Sequence, residues 1–149
     1  MANPTRAIVS AGTICGIMDI TAALVVYGML GAKPLRLLQG IAGGVLGPRT
    51  YSGGIATAAL GLALHFVIAF AAATVFFMAS RGIRFLLDHA VLSGVLYGIA
   101  VYFFMQRVVI PLSHAARNPF SLKFTIIGVI IHIFCVGLPI ALSVRKYSR

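Results

Sequence analysis

Four runs of mainly apolar residues, 7–31, 54–80, 90–112 and 124–144, constrain this chain more than anything else in it. A bilayer is crossed by about 20 residues of helix, and each run reaches that length. None shows the strict alternation of a barrel strand. Inside hydrocarbon the backbone must satisfy its own hydrogen bonds, so unbroken runs of this length form helices. The first run is longer than the about 7–15 residues of a cleavable signal core. It also continues through Asp19, so it reads as an uncleaved span. The expected fold is one all-α membrane domain over residues 1–149 with four transmembrane helices.

Composition supports this. Hydrophobic residues make up 60% of the chain and charged residues 9%, against about 25% charged in soluble domains. Asp19 and Asp88 are the only acids, against twelve Lys and Arg, for a formal net charge of +10. The basic residues fall singly or in small groups between the apolar runs. They form no stripe interleaved with aromatics, so nucleic acid is not the expected partner. Anionic lipid headgroups suit them better. Cys15 and Cys135 lie within apolar runs, where they act as small hydrophobes.

Segment 33–49, KPLRLLQGIAGGVLGPR, is too short to span. Pro34 suits a first helical turn, and Leu35, Leu38, Ile41, Val45 and Leu46 recur at helical spacing. An interfacial helix between spans one and two is expected, in preference to a re-entrant loop. The connections at 81–89 and 113–123 are short, which makes consecutive spans antiparallel neighbours. Pro139 is expected to kink or end the fourth helix near its close. Six basic residues fall on the side of the termini and five on the other. By the rule that cytoplasmic loops carry the excess, both termini are expected in the cytoplasm.

A pattern recurs across the two halves. GTICGI at 12–17 and GVLYGI at 94–99 both read G-x-x-x-G-I. GLALHF at 61–66 and GVIIHI at 128–133 both read G-x-x-x-H before a large apolar residue. Two repeated helical hairpins would produce this order, as would coincidence. Gly12, Gly16, Gly94 and Gly98 form flat faces on which helices can approach closely. Asp19 shares a face with Gly12 and Gly16 and should turn inward.

Asp19, His65 and His132 lie deep within their spans, and Arg107 lies deeper in span three than a terminal residue. Ionisable groups at such depth mark function by default; histidine can also serve as a neutral hydrogen-bonding link between helices. These four residues form the expected polar centre, with an Asp19–Arg107 ion pair if the helices are suitably rotated. The trio of Asp19, His65 and His132 could pass protons. The two histidines could ligate a b-type haem. Two His and one Asp could also hold a metal ion, although no sequence spacing specifies one. With two acids, no hydrolase motif and no phosphate loop, the chain does not read as an enzyme, and no catalytic residue is assigned.

Leu38, Gln39, Ile41, Ala42, Gly44 and Gly47 read L-Q-x-I-A-x-G-x-x-G, and Val108, Val109, Pro111, Leu112 and Ser113 read V-V-x-P-L-S. In these motifs residues 38–113 resemble a group of small uncharacterised bacterial multi-pass inner-membrane proteins. The chain is distantly similar to the YagU-like proteins, which are linked to acid tolerance. The resemblance implies an inner-membrane location and no particular activity. The leading functional expectation is proton, ion or small-solute handling. The alternatives are a structural or assembly subunit of a membrane complex, including a homodimer, and a haem-bearing electron carrier.

Overall fold

The computed structural model describes residues 3–148. It is helical, with no strand among those residues. Four helices are long and apolar enough to cross a membrane: α1 (Pro4–Met29), α3 (Gly54–Gly82), α4 (Ala90–Leu112) and α5 (Leu122–Ser148). The shorter α2 (Pro34–Leu46) lies between α1 and α3. A single helical turn, Phe85–Asp88, joins α3 to α4. The architecture is that of a multi-pass membrane protein.

Each boundary has a local cause. Pro4 and Pro34 occupy first-turn positions, where a missing N–H costs nothing. The Asn3 side chain accepts a hydrogen bond from the Arg6 N–H at 3.0 Å and so caps α1. The Asn3 N–H also donates to the Tyr147 carbonyl at 3.1 Å, which ties the start of α1 to the end of α5. Helix α2 stops at Gly47, whose φ of +62° suits a residue without a side chain.

Helix α1 packs along both α3 and α5, and α4 packs mainly along α5. Toward the termini the bundle closes on small residues. Ala7, Ala11, Cys15, Ala69, Ala73, Ala90 and Ala141 pack there with Phe76, Phe77, Ile140 and Val144. The Tyr97 hydroxyl donates to the Ala72 carbonyl at 2.7 Å and links α4 to α3. Most large side chains elsewhere on the spans, such as Val67, Phe104 and Phe134, face outward. That is the inverse of a soluble bundle and suits surrounding lipid.

Helix α2 lies directly on α3. Gly61 leaves room for the backbone of α2 at Leu38 and Ala42. The fully buried Gln39 side chain donates to the Gly54 carbonyl at 3.0 Å and to the Thr57 hydroxyl at 3.2 Å. Thr50 returns a 2.8 Å bond to the Gln39 carbonyl. The two motifs at 38–47 and 108–113 also meet. Gly44 faces Ser113, and the His114 N–H donates to the Gly44 carbonyl at 3.0 Å.

Of the two outcomes expected at Pro139, a kink or an end, the helix does not end; α5 continues to Ser148. The helix instead widens to π geometry over His132–Gly137. A second π segment, Met105–Val109, comes just before Pro111 in α4. Proline cannot donate to the carbonyl four residues back, and its ring crowds that carbonyl. A wider turn ahead of the proline relieves both problems, so the helix survives.

Candidate functional site

The site is built where α1 crosses α3. Without side chains, Gly12 and Gly16 let the rings of Phe70 and Phe66 lie against the backbone of α1. The Ala69 methyl group also faces Gly16. This crossing brings His65, one residue before Phe66, to the level of Gly16. The His65 Nε2 lies 2.9 Å from the Gly16 carbonyl oxygen. A carbonyl only accepts, so Nε2 carries a proton and donates it. The other ring nitrogen, Nδ1, is turned toward Asp19, 4.0 Å from Oδ2. That is beyond a direct hydrogen bond, and the contact is an ion pair only while the His65 ring is protonated.

The pair lies deep in the bundle. Asp19 is about ten residues, or about 15 Å, from the end of α1 at Met29. His65 lies at a similar depth from the start of α3 at Gly54. Their side chains keep 17% and 12% of their exposure, so the pair is partly buried and not sealed.

The other expected members of the centre are placed elsewhere. His132 belongs to the α4–α5 crossing. Its Nδ1 donates to the Gly128 carbonyl of its own helix at 2.9 Å, and its ring packs edge-on against Tyr102 at 5.3 Å. Helices α4 and α5 meet backbone to backbone here, Gly94 against Gly137 and Gly98 against His132. The His132 ring is engaged by Gly128 and Tyr102, and among the described residues it makes no hydrogen bond or ion pair with Asp19 or His65. The expected Asp19–Arg107 pair is also absent among the described residues, where Asp19 pairs with His65. Arg107 lies in the π segment near the far end of α4 and faces a separate cavity. The expected ion pair does not form because α1 packs along α3 and α5, with no comparable packing on α4, and Arg107 lies level with Tyr27, eight residues beyond Asp19.

The cofactor alternatives meet the same geometry. One iron held by both histidines would need the two rings to face each other. His65 instead faces α1 and His132 faces Gly128 and Tyr102, so the residues do not fit a haem. No group of three His, Cys, Asp or Glu side chains among the described residues is placed to hold a metal ion.

Sequence reasoning missed the buried Gln39 network and both π segments. The signals were present: a glutamine amid an apolar stripe, and Pro111 and Pro139 inside spans. Neither a family model, nor a curated protein, nor a solved structure matches the chain.

Proposed function

We propose that Asp19 and His65 form a proton-binding site inside the membrane, through which the protein handles protons, ions or a small solute. The supporting observation is the fixed orientation of the His65 ring. Gly16 engages Nε2, so Nδ1 is the nitrogen left to gain or lose a proton, and it faces a carboxylate. With one proton between them the pair is neutral overall, either as imidazolium and carboxylate or as imidazole and carboxylic acid. A second proton leaves it positive, and loss of the first leaves it negative. Net charge in hydrocarbon is costly. Proton occupancy is therefore coupled to how far water reaches the pair, which is the elementary requirement of a transport step. The setting proposed is the bacterial inner membrane, with both termini in the cytoplasm. The resemblance of residues 38–113 to small inner-membrane proteins favours the same setting.

The test is proton flux into liposomes carrying the purified protein, read with an entrapped pH-sensitive dye. Wild type and His132→Ala should conduct above empty liposomes, whereas Asp19→Asn and His65→Ala should fall to background. Flux that is unchanged in both latter variants rules out the site. No flux from wild type, together with a copurifying membrane partner, would favour a structural subunit.

A further inference from the structure

At the end of the bundle away from the termini lies a cavity of about 880 Å³ between α1, the π segment of α4, and the start of α5. Its volume is in the range of small-ligand pockets. Gln106, Arg107, Arg117 and Asn118 line it with hydrogen-bond donors, and no carboxylate lines it. Tyr27 and Phe124, with ring centroids 6.1 Å apart, form an apolar wall. The Arg117 guanidinium donates to the Pro111 carbonyl at 2.9 Å, which places this cation at the cavity's edge. Arg107 is presented by the widened turn before Pro111. Such π turns are frequent at functional sites.

Charge makes the occupant specific. Lys33, Arg36, Arg49, Arg117 and Lys123 lie at this end of the molecule, with Arg107 just below them. The two acids are elsewhere: Asp19 is in the middle of α1, and Asp88 is in the α3–α4 connection at the opposite end. Two guanidinium groups in a cavity without a carboxylate call for an external anion. Guanidinium forks match phosphate oxygens in pairs, and basic pockets between spans receive lipid headgroups.

We infer that this cavity binds a phosphate ester, with Arg107 and Arg117 on the phosphate and Tyr27 and Phe124 against the attached carbon chain. The same chemistry is offered by an anionic phospholipid and by a soluble phosphate ester. This site is distinct from the Asp19–His65 pair and stands whether or not that pair moves protons.

The test uses the full chain in detergent with three probes: phosphatidylglycerol, phosphatidylcholine and glycerol 3-phosphate. Native mass spectrometry reads what is retained. If the source is lipid, phosphatidylglycerol is retained over phosphatidylcholine. If it is soluble, glycerol 3-phosphate is retained. In either case Arg107→Gln with Arg117→Gln should weaken retention by about tenfold or more. Lys33→Gln with Arg49→Gln, at the same end but outside the cavity, should leave it within about twofold, as expected for exposed charges. Should the double arginine variant not fold, Arg107→Gln alone gives the same reading, because that side chain is exposed. Retention of no probe, or retention unchanged by the arginine substitutions, overturns the inference.

Discussion

The α1–α3 crossing and the α4–α5 crossing use the same materials and reach different ends. In each, a G-x-x-x-G helix packs on a helix that carries a histidine, and the second glycine lies at the level of that histidine. At the first crossing the glycines are covered by side chains, the rings of Phe70 and Phe66. The histidine there reaches across to Gly16. At the second crossing backbone meets backbone, and the histidine bonds to its own helix. Three residues beyond the second glycine stands Asp19 in one case and Val101 in the other. Even the protonated nitrogen differs: Nε2 in His65 and Nδ1 in His132. A histidine in an apolar helix thus acquires its role from the spacing of the crossing and from its neighbour one turn away.

Function should separate the crossings most sharply. His65→Ala is expected to abolish proton flux in liposomes, and His132→Ala to leave at least half of it; equal losses would erase the distinction. Stability should separate them in the opposite sense. A Cβ on Gly98 would lie 2.5 Å from the His132 carbonyl oxygen, where only backbone could yield. Gly98→Ala should therefore cost about 2–3 kcal/mol, in the range of overpacked cores. Gly16→Ala meets the Phe66 ring at 2.6 Å, and that ring can turn aside. Its cost should be nearer about 1 kcal/mol. Unfolding in mixed micelles checks the order.

Val101→Asp sharpens the comparison further. It supplies the missing acid, but the His132 ring is already committed to Gly128 and Tyr102. The expected result is a loss of about 2.5–3.5 kcal/mol, the scale of an unpaired intramembrane acid. Unchanged stability with an altered His132 titration would mean that the two crossings are interchangeable. The smallest effect is expected from Tyr97→Phe, which removes the bond to Ala72 between the two hairpins. About 0.6 kcal/mol is the usual scale for such a bond in a membrane, measured in the same unfolding assay.

What the sequence disclosed follows the same division. Span length and apolarity carry their own physics, so the four long helices and the short α2 were legible, with ends shifted by a few residues. The glycine faces were legible because small residues are what close crossings require. Rotation about each helix axis was not. Whether His132 looks across or along its helix depends on the packing of Gly98 against it, and nothing within GVIIHI records that contact. The Asp19–Arg107 pair was expected wrongly for a related reason: which spans pack on which is a tertiary outcome, and α1 lies against α3 and α5 while Arg107 faces the cavity beside Tyr27.

Side-chain nitrogen-15 NMR of the two histidines across a pH series, in bilayers, for wild type and Asp19→Asn, tests the central claim most directly. His65 is expected to keep its Nε2 proton throughout while Nδ1 exchanges one, Asp19→Asn to alter this exchange, and His132 to be indifferent to the substitution. His65 and His132 titrating alike, with neither sensitive to Asp19, would contradict it.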